Sequence, residues 1–233
     1  MIPKLIHQTA RTGDLPKNCR PYVEKLRALH SDWTYHLWTD EDNLAFVGKE
    51  FPELAEMFTG LPRNIMRADM IRYLLMYRLG GLYVDTDYEM IKPFDLTDHD
   101  IVLCWEGDPR TGEGHFLVAN SIFASSPGHP FFKMIIDELK VNPPLSADAD
   151  VETATGPGLV TRVYQSAVKA GLHPYAAPAP EFNPITPRNA RQYQEILNNG
   201  VSYGIHHCHG SWRHFTVRHR VKMSLSRIAH RFL

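Results

Sequence analysis

Two aspartates two residues apart, Asp85 and Asp87, close the short apolar run Leu82-Tyr83-Val84, which follows the pair Gly80-Gly81. Side chains two apart along a strand or its exit point the same way. Two carboxylates converging there repel each other unless a cation lies between them. Hard oxygen ligands favour Mg²⁺ or Mn²⁺ over zinc. Open α/β sheets bind ligands at the carboxyl ends of their strands, where this pair falls. A solvated turn is the bland alternative. The glycine pair and the apolar strand in front of the acids favour the cation.

Three further groups have chemistry to offer. Arg67, Asp69 and Arg72 are charges on an otherwise apolar stretch. Asp69 and Arg72, three apart, share a helical face. They make either a structural ion pair over the sheet or a contact to a polar ligand, for which the planar guanidinium is suited. His206, His207 and His209 precede Gly210-Ser211-Trp212. A histidine there can complete a metal shell begun by two aspartates, whereas the spacing is too tight for a zinc motif. Gly156-Pro157-Gly158, after Thr153 and Thr155, opens a helix whose first amides either hold an anion or form a plain cap.

Elements of alternating type must position these groups. Pro3 to Ile6 reads as a first strand, Lys17 to His30 as a helix, and Trp33 to Trp38 as a second strand. Asp40 caps a helix through Phe46, and Pro52 to Phe58 is a short helix. From Asn64 to Leu79 no Gly or Pro interrupts, Pro62 precedes and Gly80-Gly81 stops the run. Its apolar residues wrap nearly the whole circumference, which predicts a central, buried helix. Leu82 to Val84, Ile101 to Trp105, Phe116 to Ala124 and Val201 to His207 read as strands. Pro130 to Val141 and Gly158 to Ala170 read as helices. Residues 173 to 188 hold five prolines and read as extended loop. The order predicts an α/β sheet whose second half is mixed.

Composition narrows the field. The chain has 233 residues, 43% of them apolar and 22% charged, enough for a sizeable core in one domain. Its formal charge of −1 argues against a surface built for nucleic acid. Cys19, Cys104 and Cys208 are too widely spaced for a disulfide framework or a zinc site, and fit a reducing compartment. No apolar run suffices to span a bilayer, and the first residues do not form a secretory signal. These features predict a cytoplasmic protein, or one peripheral on the inner face of the membrane. Residues 213 to 233 hold six Lys or Arg, three His and no acid. Val217, Val221, Leu225, Ile228 and Phe232 recur there at helical spacing. This basic helix would lie either on an anionic membrane or on the acidic body, residues 1 to 212.

The segment from Arg67-Ala68-Asp69 through Arg72-Tyr73 to Gly80-Gly81-Leu82-Tyr83-Val84-Asp85-Thr86-Asp87 resembles the central motif of glycosyltransferase family 32. This family includes yeast initiating α-1,6-mannosyltransferases and bacterial capsule and lipopolysaccharide sugar transferases, and the likeness reaches the glucosyltransferase domains of large clostridial toxins. Ile2-Pro3-Lys4-Leu5-Ile6-His7-Gln8 resembles its opening strand, Trp38-Thr39-Asp40 the end of its second strand, and Ala154-Thr155-Gly156-Pro157 its late turn. His206-His207 through Ser211-Trp212 resembles its closing motif.

The resemblance implies a GT-A fold, a Rossmann-like nucleotide-sugar domain with a mixed sheet. It implies a divalent metal, Mn²⁺ or Mg²⁺, held by Asp87, Asp85 and His207. Asp69 and Arg72 would hold the donor sugar's hydroxyls, beside Tyr83 and Asn120. Trp212 would lie at the diphosphate, His7, Gln8 and Trp38 would line the nucleoside pocket, and Gly156 is a further substrate-binding candidate. Where the family often has a tryptophan this chain has Thr9-Ala10, which leaves the base unspecified. The implied reaction moves a hexose, with retention, from a UDP- or GDP-hexose to a glycan or lipid-linked acceptor. Glu106 and Asn120 are the candidates should a nucleophile be needed. The rival readings are a phosphohydrolase with Asp85 as nucleophile, a non-catalytic sugar-nucleotide-binding module, and a toxin-like transferase.

Overall fold

The computed structural model describes residues 1–107, 116–184, 187 and 189–209. Trp212 and the basic segment 213–233 lie outside these residues. Among the described residues eight strands run in chain order: β1 Leu5–Thr9, β2 Thr34–Trp38, β3 Gly81–Val84, β4 Tyr88–Met90, β5 Ile101–Cys104, β6 Ile122–Ser125, β7 Tyr175–Ala177 and β8 Gly204–His206. Six form one mixed sheet in the order β2-β1-β3-β6-β5-β7, and β4 pairs with β8 in a small second sheet. Strands β2, β1 and β3 are parallel. Strand β6 runs antiparallel to both β3 and β5, and β7 is parallel to β5.

The central strands are buried on both faces, which explains their unbroken apolar runs. Strand alternation divides them between two cores. Tyr83, Ile101, Leu103 and Phe123 face the helices Asn64–Leu79, Pro130–Val141 and Pro157–Lys169. Leu82, Val84, Val102, Cys104, Ile122 and Ala124 face Leu26 of the helix Arg20–Leu29 together with Tyr88, Phe94 and Phe182.

The helix Asn64–Leu79 has the predicted bounds, and nine of its residues are buried, Asp69 and Arg72 among them. It ends because Gly80 takes φ +65°, a conformation disfavoured for residues with a Cβ. Gly81 takes φ +96°, and a Cβ there would lie 2.6 Å from the Leu5 carbonyl oxygen. The glycine pair therefore turns the chain and lets β3 lie close against β1.

Several expectations shift. Thr39, not Asp40, caps the second helix: its Oγ1 accepts from Asp42 N at 3.2 Å while Asp42 Oδ2 accepts from Thr39 N at 2.9 Å. That helix runs to Glu50. The predicted strand Phe116 to Ala124 narrows to β6 with a single bridge between Val118 and Trp105, leaving Asn120 and Ser121 outside the strand. The proline-rich stretch carries β7 and the short helix Ala179–Phe182. No helix among the described residues is long and apolar enough to cross a membrane.

Candidate active site

The acidic pair stands at the carboxyl end of β3, beside that of its parallel neighbour β1. Asp85 N donates to Ser121 O at 2.8 Å, and Tyr88 N donates back to Asp85 O at 3.1 Å. This tight turn puts Asp85 and Asp87 side by side, each half-buried.

Behind them lies a buried polar network. The Arg72 guanidinium lies between two carboxylates, with Nη2 3.2 Å from Asp69 Oδ1 and Nη1 3.2 Å from Asp85 Oδ1. Nη1 also donates to Asn120 O at 2.6 Å and Nε to Ala68 O at 3.0 Å. The Tyr83 ring lies under the guanidinium, 4.8 Å away, and Tyr83 Oη donates to Asp85 Oδ1 at 2.8 Å. Burial pushes the Tyr83 phenol well up, so it stays a donor. Asp69 accepts from Thr155 Oγ1 at 2.8 Å and Asn120 Nδ2 at 3.0 Å. Tyr73 Oη donates to Thr155 O at 2.6 Å. Burial raises the Asp69 carboxyl despite Arg72; burial opposes charge on Arg72, but Asp85 and the other flanking groups outweigh it and keep the guanidinium charged.

On the open side, His206 Nε2 lies 3.3 Å from Asp87 Oδ1 and 3.9 Å from Asp85 Oδ2. The ligand atoms of Asp85, Asp87 and His206 all fall within 4.8 Å of one another. Burial opposes charge on Asp87, but the His206 ring and the His209 amide hold its carboxyl down at about 2. Burial raises Asp85, against Arg72 and with the neighbouring Asp87. Burial likewise opposes charge on His206, and Asp87, Cys208 and Asp85 outweigh it and lift the imidazole well above its usual range. Two carboxylates and one imidazole, converging in a half-buried site with one carboxyl pushed up by burial and then by its neighbour, suit a hard divalent cation.

The histidine beside the acids is a correction. His207 was expected there, yet its Nε2 bonds Glu89 Oε2 at 3.1 Å and its ring stacks on Tyr22. Consecutive residues at a strand end alternate: the β4–β8 register pairs His206 with Tyr88, and it is His206, not His207, whose Nε2 reaches the acids.

The remaining expected residues fall into two groups. Asp69, Arg72, Tyr83, Asn120 and Asp85 form the one network above, but Tyr83 is fully buried and reaches the site only through Asp85. His7 is also a correction as a pocket-lining residue. It is 2% exposed, with Nε2 donating to Gly80 O at 2.9 Å and Nδ1 accepting from Trp38 Nε1 at 3.1 Å. Burial lowers its pKa to about 4, so the ring is neutral. Gln8 is buried as well, donating to Asp85 O at 3.1 Å and accepting from Tyr35 Oη at 2.9 Å. It supports the Asp85 turn from beneath, and of the three only Trp38 is partly exposed. Gly156 caps the helix Pro157–Lys169, and its own carbonyl takes the amides of Leu159 and Val160. With Pro157 lacking an amide hydrogen, little of that helix start is left for an anion. Glu106 follows β5, its amide bonded to Leu117 O. Sequence reasoning missed Thr9, Tyr73 and Glu89 and gave Thr155 no role of its own. The one signal for Thr155 was its place before Gly156.

Comparison with known proteins agrees with this arrangement. A family model described as a glycosyltransferase sugar-binding region containing the DXD motif matches residues 16–103. Inositol phosphoceramide mannosyltransferase 2 of Schizosaccharomyces pombe is 36% identical over 142 residues, 61% of this chain and 39% of that protein. The initiation-specific α-1,6-mannosyltransferase of Saccharomyces cerevisiae is 32% identical over 102 residues, 40% of this chain and 21% of that protein. The chain thus matches less than half the length of these curated relatives. Among solved structures, the PaToxG glycosyltransferase superposes with a TM-score of 0.54 at 17% identity, over 97% of this chain and 84% of that one. That likeness shows the fold, which is GT-A. With its acidic motif on the turn after β3 inside the matched residues, the chain is similar to glycosyltransferases that carry the DXD motif.

Proposed function

We propose that the protein is a metal-dependent hexosyltransferase, moving a sugar with retention from a nucleoside-diphosphate hexose to a glycan or lipid-linked acceptor. One observation carries the reading: Arg72 fixes Asp85 from behind while His206 meets Asp87 in front, so three ligand atoms converge at the carboxyl end of β3. The relatives are named for mannosyl transfer, one of them to inositol phosphoceramide. These names support mannose as the hexose and a lipid as the acceptor. A GDP- or UDP-linked donor fits either way. The basic residues between Arg213 and Arg231 would favour a position on an anionic membrane surface.

Asp85, Asp87 and His206 would hold Mn²⁺ or Mg²⁺, which supplies positive charge where a diphosphate departs. The chain's own residues do the rest. Arg72 and Tyr83 lock Asp85 in one rotamer, so it need not reorganise during reaction. Asp69 and Asn120, tied to Arg72 and Thr155 behind the acids, would fix the wall of the site on which sugar hydroxyls are read. Same-face attack by the acceptor hydroxyl is the preferred course, with the Asn120 amide held in place by its donation to Asp69 and Tyr73. The hydrolase reading is disfavoured for a related reason: Asp85 Oδ1 is engaged by Tyr83 and Arg72 and is a poor nucleophile.

A thermal-shift panel of UDP- and GDP-hexoses with and without Mn²⁺ tests the assignment. A donor that raises the Tm only when metal is present supports it. Equal shifts with and without metal, or none with any donor, refute it.

A further inference from the structure

Directly after the acidic pair, β4 carries a third carboxylate that the proposed site does not use. Glu89 is 6% exposed, and donors from three separate elements converge on it. Lys25 Nζ, from the helix Arg20–Leu29, donates to Oε1 at 3.0 Å. Tyr193 Oη, from the helix Ala190–Asn198, donates to the same oxygen at 2.8 Å. His207 Nε2, just past β8, lies 3.1 Å from Oε2. The His207 ring is also stacked on Tyr22, with centroids 4.5 Å apart and planes within 3°. His207 is thus held both at its edge and on its face.

This grip bears on the acids. With His207 held by Glu89, its neighbour His206 turns the other way and reaches Asp87. The same short segment touches Asp87 twice more. His207 N donates to Asp87 O at 3.0 Å and His209 N to Asp87 Oδ2 at 2.7 Å. The β4–β8 ladder is only three residues long on each side, so its own hydrogen bonds specify register weakly. A slip of one residue would exchange His206 for His207 at the acids.

We infer that Glu89 is a positioning residue: by capturing His207 it sets His206 as the imidazole that meets Asp85 and Asp87, and the Glu89–His207 pair acts as one latch on the cation site. The inference rests on the proposed metal-binding role of that site. Groups that orient a metal's ligands without touching the metal commonly change its affinity by about tenfold or more when removed.

The test is a titration of Mn²⁺ alone into the full chain, with free Mn²⁺ read by electron paramagnetic resonance and the Tm of each metal-free variant recorded alongside. Glu89→Gln and His207→Ala are each expected to weaken Mn²⁺ binding by about tenfold. The double variant is expected to bind no more weakly than the weaker single one, because one latch is broken only once. Lys25→Met leaves Glu89 its other two donors and is expected to weaken Mn²⁺ by a smaller factor. It decides the matter if Glu89→Gln does not fold. Wild-type affinity in every folded variant, or losses that multiply in the double variant, would overturn the inference while leaving the metal site intact. A wild-type chain that takes up no Mn²⁺ would instead overturn the proposed function, and the inference with it.

Discussion

Thr155 holds Asp69 across 86 positions of sequence, its Oγ1 donating to Asp69 Oδ2 at 2.8 Å. Both residues are buried. Thr155 comes from the turn before the helix Pro157–Lys169, and Asp69 from the middle of the helix Asn64–Leu79. The contact therefore ties the late part of the chain to the Arg72 network and, through Arg72, to Asp85.

Thr155→Val keeps the shape and removes the donor, leaving a buried carboxylate oxygen short of a partner. A loss of about 1–3 kcal/mol is expected in urea unfolding, together with slower transfer. Thr155→Ser keeps the hydroxyl and should stay near wild type. Equal stability for the valine and serine variants would mean that the bond contributes nothing.

Arg72 is the only positive charge the described contacts place between Asp69 and Asp85. Arg72→Gln would leave two buried or half-buried carboxylates facing each other and should cost roughly 3–5 kcal/mol. Arg72→Lys keeps the charge but not the fork that serves both acids, so it should fall between glutamine and wild type. Adding Asp69→Asn to Arg72→Gln removes one of the stranded anions and should recover part of the loss. Urea unfolding of the four chains reads this directly, and no recovery in the double variant would count against it.

Much of this was legible before the fold was seen, and the reason is local. The helix Asn64–Leu79 has no breaker inside and two glycines at its end, so its bounds follow from neighbouring residues alone. The acids after Val84 follow from an apolar strand meeting polar residues. What escaped depends on contacts distant in sequence. Strand β4 is three residues long and exists because β8 pairs with it, more than a hundred residues later. Whether His206 or His207 faces the acids depends on that pairing. The buried His7 and Tyr83 look like ligand contacts in a motif, yet their polar atoms are already engaged by Gly80, Trp38, Thr9 and Asp85.

His7 gives a pH signature. Its pKa falls from the ordinary 6.5 to about 4 in the folded chain. Between those values the unfolded chain holds the extra proton. The stability due to the neutral ring is therefore complete above pH 6.5 and is lost as the pH drops toward 4, by roughly 3 kcal/mol. His7→Gln cannot titrate. The stability difference between wild type and His7→Gln, taken from urea midpoints, should shift by about that amount, to the disadvantage of wild type, between pH 7 and pH 4. Other histidines are common to both chains and cancel. A difference independent of pH would show that His7 is not buried neutral.

The central claim is that Asp87 helps to hold a cation needed when a nucleoside diphosphate leaves. It is tested most directly by transfer from GDP- and UDP-hexoses in Mn²⁺, with wild type, wild type in excess chelator, and Asp87→Asn. The account predicts release of nucleoside diphosphate by wild type with metal, none with chelator, and a fall of about a hundredfold or more for Asp87→Asn, without loss of the fold. Wild-type turnover in chelator, or full turnover by Asp87→Asn at limiting metal, would contradict it.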